Sequence, residues 1–260
     1  MSKKPTNAKF RSERKNELLK LSEILNRSHV CIDIGPINKA AGECSGAYGI
    51  LDSEWGYDLD NLIFPLRTPR DTRPISIGKN LNLRLSLNFR ALCQPDSNSL
   101  FEKLELNIEI YDQAPPACKS YISWHFDRHI GASGDGDSAE PHPLYHFQHG
   151  GHKTQHHITD EFGKVLLLAA PRLPHPPMDA ILAIDFVLAN YNGGKWRELR
   201  NNPEYTSLVA ASQVRFWRPY MELLGSFYDS GGVANSKMDA VYSIWPTLTS
   251  NRVKRDRLVV

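Results

Sequence analysis

Eight of the ten histidines of this chain lie between His125 and His157. Histidine changes its charge near neutral pH and binds divalent metals through a ring nitrogen, so such a cluster predicts proton transfer or metal binding. Two segments within it share the pattern aromatic–His–Phe–polar, namely Trp124–Asp127 and Tyr145–Gln148. We expect the chemistry of the chain to be concentrated around these two segments.

The first segment lies in a predicted strand, 120–129, in which apolar and polar residues alternate. Alternation places successive side chains on opposite faces of a strand. Because the apolar residues must face the core, we expect the opposite face to carry His125, Asp127 and His129.

The second segment lies in a predicted strand, 143–149, whose Tyr145 and Phe147 are expected to face the core. His146 and Gln148 then point outward. If the two strands pair as a hairpin, their outward side chains come within roughly 5–8 Å of one another. The sequence therefore predicts a two-histidine site on the open face of a sheet.

The first hypothesis for this site is a His-dependent hydrolase that acts on a phosphodiester or nucleic acid. His125 and His146 would form the acid–base pair, one imidazole accepting a proton while the other donates one. Asp127 would orient or polarise an imidazole. Substrate contacts are expected from neighbouring polar residues, with an arginine stabilising a phosphate oxyanion: Gln148, Arg84, Arg90, His129 and His142.

A second chemistry uses the same side chains as ligands of zinc or another divalent metal. The candidate ligands are His125, Asp127, His129 and His146, with water at an open position. The H-x-D-x-H spacing is usable on a strand but is not a specific motif, and the chain contains neither HExxH nor CxxC. Polar residues on an open sheet face can also simply be solvated, so whether the protein is an enzyme stays open.

The charge distribution favours a different kind of function. Residues 1–28 hold eight Lys/Arg and three Glu, a net charge of +5, and residues 252–260 hold four Lys/Arg and one Asp, a net charge of +3. Basic ends on a mildly acidic body suggest contact with nucleic acid or an acidic protein partner, although solvated termini that aid solubility have the same composition. The alternative function is a non-enzymatic subunit or adaptor of a larger complex.

The cysteines and the apolar segments indicate the cellular compartment in which the protein is expected. Four cysteines without CxxC spacing predict reduced thiols in a cytoplasmic protein. The first residues lack the apolar region of a secretory signal, and no apolar run approaches the roughly 20 residues of a membrane span. GxxxxGK[ST], GxGxxG and GxSxG motifs are absent from the sequence.

The elements that would position the site follow from periodicity. The segment Lys9–Arg27 is typical of an amphipathic helix. Residues 81–93 and 103–111 alternate as strands, and short links to 120–129, 143–149 and 164–169 predict an antiparallel meander. Residues 29–80 are expected to contain short strands and irregular structure, with strands near Ala47–Leu51 and Leu62–Phe64.

The C-terminal part is expected to be mainly helical. After a rigid chain reversal at Pro171–Pro177, Met178–Tyr191 has the pattern of an apolar helix that Asn192-Gly193-Gly194 stops. A further helix is predicted over 203–228, kinked or divided at Pro219. A short strand is expected at Val241–Ile244.

Together these elements predict an α+β fold. It has an N-terminal helix, an antiparallel β-meander of about five strands, and C-terminal helices packed on the apolar face of the sheet. The predicted organisation is a basic N-terminal helical segment (1–28), a single domain (29–250) with its sheet at about 81–170 and helices at about 177–228, and a basic tail (251–260).

Two resemblances extend this interpretation. The segments SYISWHFDRH and PLYHFQHGGH resemble the His-rich strands of small TumE-type toxins of bacterial toxin–antitoxin systems, which implies a toxin-like or defence-like activity. The order helix, meander, proline-rich segment, helices is similar to ubiquitin-conjugating (E2) folds. Pro171–Tyr191 contains no Cys, so the catalytic-Cys segment is missing and this resemblance implies a non-catalytic adaptor.

Overall fold

A computed structural model describes the protein over the residue ranges 5–46, 51–68, 80–94, 100–112, 120–128, 143–150, 172–229, 241–242 and 244–248. Over these ranges the chain runs through two helices, a six-stranded sheet and three further helices. The predicted α+β class is confirmed.

Two helices precede the sheet. Helix α1, Asn7–Arg27, confirms the predicted N-terminal helix and begins after Thr6, whose hydroxyl accepts a hydrogen bond from the Lys9 N–H and so caps the helix. Helix α2, Gly35–Ser45, has a proline in its first turn, a position where the missing N–H costs nothing. Both helices contribute completely buried side chains to the core, Leu21 from α1 and Ala41 from α2 among them.

The six strands form an antiparallel meander in sequence order: β1 Glu54–Arg67, β2 Asn80–Leu92, β3 Lys103–Tyr111, β4 Tyr121–Arg128, β5 Tyr145–His149 and β6 Leu173–Pro174. The alternation read from the sequence appears directly in β2, where every second side chain is buried. The predicted meander is therefore confirmed, with one strand before it and one short strand after it.

The segment before β2 differs from the short strands that we predicted. Residues 54–67 form one strand of 14 residues. A β-bulge lies within it, because Leu59 and Leu62 pair with Leu87 and Leu85, which are only two residues apart. Asn61 in the bulge has a φ of 56°, a left-handed conformation that asparagine tolerates. The buried apolar residues have odd numbers before the bulge and even numbers after it. The sequence of this strand therefore does not show regular alternation along its whole length.

The proline-rich segment also contributes to the sheet. Within the predicted chain reversal, Leu173 and Pro174 form β6 and pair with Phe147 and His146 of β5. Proline is tolerated here because β6 lies at the sheet edge, where its missing N–H interrupts no further pairing.

Three helices follow: α3 Ala180–Tyr191, α4 Gly193–Arg200 and α5 Pro203–Asp229. Helix α3 ends at Asn192 as predicted, but the following glycines begin α4, which Asn192 caps by accepting from the Lys195 N–H. Pro219 lies within α5 and does not divide it.

The strand predicted at Val241–Ile244 is wrong. Residues 241–242 and 244 are helical, and the Trp245 N–H donates to the Val241 carbonyl. Val241 and Ile244 are both buried, and a three-residue separation brings two side chains to one face of a helix.

The core lies between the helices and the apolar face of the sheet. From α5, Phe216 stacks on Phe101 at a ring-centroid distance of 4.8 Å and faces Trp55 of β1 at 6.4 Å. Arg215 beside it forms ion pairs with Glu17 of α1 and with Asp179 at the start of α3. The helices thus cover one face of the sheet as predicted.

Several predicted features fall outside the described residues: the strand at 164–169, positions 47–50, His129, His142 and the basic tail from residue 251. Within the described part of the chain, no helix is long and apolar enough to cross a bilayer.

Candidate functional site

The pairing of β4 with β5 brings the central predicted side chains together. Asp127 lies directly opposite His146, and His125 lies directly opposite Gln148. The alternate residues Phe126 and Phe147 are buried. Because side chains alternate along each strand, the two histidines, the aspartate and the glutamine share the polar face of the sheet.

Three of these side chains form a compact cluster, which we call the HDH cluster (His125, Asp127 and His146). His146 Nε2 lies 3.3 Å from Asp127 Oδ1, and His125 Nε2 lies 3.8 Å from Asp127 Oδ2. One donor atom from each residue lies within 4.8 Å of the other two. Ligand atoms around a tetrahedral zinc ion are separated by about 3.4 Å, so small side-chain rotations would close the triangle around an ion.

The orientation of His146 is set by a backbone carbonyl. Its Nδ1 lies 3.0 Å from the oxygen of Pro143. A carbonyl oxygen can only accept, so Nδ1 carries the hydrogen and, in the neutral ring, Nε2 is the lone-pair acceptor. Metal-binding histidines are typically held in this way, with the second ring N–H donated to a carbonyl or carboxylate.

The contact between His146 and Asp127 therefore joins two acceptors when the imidazole is neutral. A carboxylate oxygen and a nitrogen lone pair repel each other at 3.3 Å. The contact becomes attractive if a cation lies between the two atoms or if Nε2 gains a second proton. The HDH cluster is thus a set of ligand atoms directed at a common point.

Exposure differs between the members of the HDH cluster. The side chain of His146 is 2% exposed, whereas His125 and Asp127 are 25% and 35% exposed. Pro174 of β6 lies opposite His146 on the side away from Asp127. A solute can therefore reach the cluster from the side of His125 and Asp127.

Two residues of β3 that the sequence analysis did not select flank the cluster. Glu105 lies opposite Asp127, and Asn107 lies opposite His125. Their signal was present in the outward positions of 103–111. Their position beside the HDH cluster depends on the register between β3 and β4, which alternation within one strand does not determine. They give the HDH cluster polar neighbours on the third strand.

The two arginines predicted as substrate contacts lie on β2, which β3 separates from β4. Arg84 forms a two-pronged ion pair with Glu109, with N–O distances of 2.7 and 3.0 Å. The Tyr121 hydroxyl donates to the same carboxylate at 2.6 Å, and burial together with this bond raises the pKa of Tyr121. Arg90 lies 3.9 Å from Glu54. These contacts do not bring either arginine to the HDH cluster, and their substrate role stays a prediction.

The predicted basic N-terminal surface is partly occupied by ion pairs within the chain. Arg11 is almost completely buried and pairs with Asp52. Arg14 pairs with Glu17, and Arg27 pairs with Glu23. These contacts neutralise part of the positive charge that α1 would offer to nucleic acid.

Comparison with known proteins found no matching family model, curated protein or solved structure. The fold and the site define an α+β domain whose antiparallel meander carries a two-histidine, one-carboxylate cluster on its polar face. Inference about function rests on the geometry of that cluster.

Proposed function

We propose that the HDH cluster binds one divalent metal ion and that the protein is a metal-dependent hydrolase acting on phosphodiesters. The observation that carries this proposal is the contact between His146 Nε2 and Asp127 Oδ1 at 3.3 Å. With the Nδ1 proton held by the Pro143 carbonyl, a metal ion between the two atoms turns a repulsive contact into two coordinate bonds.

The ligand set suits such an ion. Two imidazoles and one carboxylate are suitable ligands for zinc, iron or manganese. Three protein ligands leave coordination positions for water and substrate, as catalytic metal sites require. Zinc in such a site would lower the pKa of coordinated water to about 7, and any of these ions would polarise a phosphoryl oxygen.

The charge balance supports an anionic substrate. With neutral imidazoles, the HDH cluster carries the single negative charge of Asp127, so a divalent ion leaves a net charge of +1. A phosphodiester carries one negative charge and would neutralise the loaded site. Gln148, directly opposite His125, is placed to contact the water or the substrate beside the ion, and the charge of the neighbouring Glu105 is balanced by Lys103 at 3.5 Å.

A metal-free acid–base pair is the second candidate, and the position of His125 favours it. His125 is 25% exposed and lies 3.8 Å from Asp127, so its ring is accessible and has a carboxylate beside it. In such a mechanism both histidines must reach the substrate. His146 is 2% exposed and has one nitrogen bound to Pro143, so its position suits a metal ligand better than a proton donor to substrate.

Calorimetric titration of the metal-free protein with Zn²⁺ and Mn²⁺ tests the metal site. We expect one ion per chain. His146→Gln should weaken the metal affinity by roughly 100-fold or more, because mutation of a residue that only supports a metal ligand already weakens the affinity by about 10–100-fold. His149→Gln is the matched control, because His149 lies on the same strand and faces the opposite side, against Trp124. Wild-type protein that binds no ion, or variants that bind equally well, would contradict the metal site.

Hydrolysis of a chromogenic phosphodiester, measured with and without chelator, tests the reaction. We expect activity that chelator removes and added metal restores. Activity that persists in chelator and is lost in both His125→Ala and His146→Ala would support the acid–base pair instead. A protein that binds metal and cleaves no phosphodiester would retain the metal site and lose the proposed reaction.

A further inference from the structure

The short edge strand β6 follows directly after an arginine, Arg172. Pro174 of β6 pairs with His146 of β5, and the pairing is antiparallel. Arg172 lies two residues before Pro174, so the same register sets it opposite the residue two positions after His146, which is Gln148. Residues two apart in a strand share one face. The register therefore places Arg172 on the polar face that carries the HDH cluster.

The guanidinium of Arg172 has no acceptor within the described part of the chain. Its side chain is half-buried and its Nε is completely buried, and neither a hydrogen bond nor an ion pair joins it to another described residue. Arg11 and Arg14 also have a buried Nε, but their other nitrogens lie 2.9 and 2.7 Å from carboxylates. A buried donor without an acceptor is unfavourable, so an anion from outside the chain would satisfy Arg172.

The HDH cluster occupies three corners of a four-residue square on β4 and β5. Asp127 faces His146, and His125 faces Gln148. The corner at Gln148 is therefore the one left for water and substrate, and Arg172 is the next residue across the sheet from it. Arg172 is also the diagonal neighbour of His146, at a separation of about 7–8 Å that a long side chain can span.

The two sides of this square differ in charge. On β3 the facing residues are Asn107 and Glu105, which bring an amide and a carboxylate. Lys103 lies on the same strand, but it is 3.5 Å from Glu105 and neutralises that carboxylate. On β6 the facing residues are Pro174 and Arg172. An anion bound to an ion in the HDH cluster is therefore drawn toward β6 and away from β3.

Hydrolysis of a phosphodiester gives this positive charge a chemical role. The diester carries one negative charge, which the metal-loaded cluster neutralises, and attack by hydroxide adds a second. The hydroxide oxygen bonds to phosphorus while the ester P–O bond breaks, and the departing oxygen keeps the bonding electrons and takes a proton from water. A guanidinium presents paired N–H donors that match two phosphoryl oxygens. It would stabilise the second charge as that charge develops in the transition state.

We propose that Arg172 is a catalytic residue of this hydrolase and that its guanidinium binds the phosphoryl oxygens of a substrate held at the HDH cluster. The proposal rests on the proposed function and adds to it the group that balances the charge of the transition state. Arg84 and Arg90, for which the sequence suggested such a contact, each have a carboxylate partner on the sheet.

Steady-state hydrolysis of a chromogenic phosphodiester in saturating zinc tests this role. Arg172→Gln should lower kcat/KM by roughly 100-fold or more, as loss of one donor to a transition-state oxyanion does, while its zinc affinity and circular dichroism match the wild type. Arg172→Lys keeps the charge but not the paired donors and should recover part of the activity. Arg197→Gln, which changes an exposed arginine on α4, is the matched control and should behave as the wild type.

Calorimetric titration of the zinc-loaded protein with phenylphosphonate measures anion binding without a reaction. Phenylphosphonate is a dianion that resembles a phosphoryl group and is not hydrolysed. Arg172→Gln should bind it roughly tenfold more weakly or worse, because a hydrogen bond to a charged group is lost. Arg197→Gln should bind it as the wild type does.

The outcomes separate this proposal from the proposed function. Arg172→Gln protein that hydrolyses the diester and binds phenylphosphonate as the wild type does would overturn the role of Arg172 and leave the proposed function intact. Loss of zinc affinity in this variant would also overturn it, because the arginine would then support the metal site. If the zinc-loaded wild type cleaves no diester, the proposed reaction is lost and equal phenylphosphonate binding by both proteins overturns the anion contact as well. A wild type that binds no zinc contradicts both proposals.

Discussion

Replacing Asp127 by Asn should stabilise the metal-free protein while removing its metal site. In the metal-free state a neutral His146 presents its Nε2 lone pair to Asp127 Oδ1 at 3.3 Å, since the Pro143 carbonyl holds the Nδ1 proton. An asparagine amide in the same place can donate its N–H to Nε2. The substitution therefore converts a contact between two acceptors into a hydrogen bond.

The magnitude follows from the geometry of this contact. A hydrogen bond inside a protein stabilises the folded state by about 0.5–1.5 kcal/mol net. Asp127 is 35% exposed and the distance is long for an N–H donor, so we expect a gain of about 0.5–1 kcal/mol. Metal reverses the order, because an ion at 100 times its dissociation constant stabilises a protein that binds it by about 2.7 kcal/mol. We therefore expect the free energy of unfolding to be highest for the metal-loaded wild type, lower for Asp127→Asn and lowest for the metal-free wild type.

Urea unfolding at about pH 8, where an ordinary imidazole with a pKa of about 6.5 is neutral, measures these free energies in chelator and in zinc. Glu105→Gln is the control, because Glu105 lies opposite Asp127 on β3 and its side chain is 58% exposed. It should change neither the free energy of unfolding nor the response to zinc. If metal-free Asp127→Asn is the less stable protein, Asp127 pairs with an imidazolium and the reasoning about two acceptors is refuted.

Three further predictions concern the scaffold. His175 packs among aromatic rings, and burial lowers its pKa, so protonation of His175 opposes folding. The free energy of unfolding of the wild type should therefore fall as the pH drops below about 6.5. Urea titrations at several pH values should show a smaller fall for His175→Phe. Arg215→Ala leaves the buried Asp179 without its cation, while Glu17 keeps Arg14, and should cost about 3 kcal/mol in unfolding free energy, whereas exposed Arg218→Ala should have no measurable effect. Asn61→Val places a β-branched residue at a φ of 56° and should lower the free energy of unfolding by about 1–2 kcal/mol, while Asn61→Gly should be tolerated. If thermal unfolding gives the same melting temperature for Asn61→Val and the wild type, the backbone at residue 61 is not strained.

The sequence was informative wherever one face of a strand is buried. In β2 the buried residues recur at every second position, so burial follows the alternation of the sequence. In β4 the buried residues are Ser123 and Phe126, and in β5 Tyr145, His146 and Phe147 are all buried, so alternation gave the pairing faces of these strands but not their burial. The outward positions His125, Asp127 and His146 followed from the same pattern. The distances between these three side chains could not be predicted from alternation, because they depend on the register between strands, and the register depends on the connecting segments.

The elements that were missed have local causes. In β1 the bulge at Asn61 reverses the alternation halfway along the strand. At Gly193 a glycine pair that commonly ends helices instead starts a new one, because Asn192 caps it. At Val241–Ile244 four residues are too few to separate a strand from a helical turn. In each case a contact or a short-range backbone conformation decided the structure.

The least predictable feature is the one on which the proposed function depends most. The bond from His146 Nδ1 to the Pro143 carbonyl joins residues three apart and depends on the imidazole rotamer. No residue type in the sequence signals it. It nevertheless decides that Nε2, and not Nδ1, faces Asp127, which is the orientation that the proposed metal site requires.

The polar face of the sheet carries two groups of charged side chains, one around Glu109 and one around Asp127. Glu109 is 4% exposed, and its charge is balanced by Arg84 and bonded by the Tyr121 hydroxyl. Every contact in that group joins a donor to an acceptor, which is what stability requires of buried polar side chains. Two rows further along the polar face, Asp127 lies near an imidazole nitrogen of each of His125 and His146. While His146 is neutral, the contact of its Nε2 with Asp127 does not stabilise the sheet by itself, and the metal ion of the proposed function would supply the positive charge that this contact lacks.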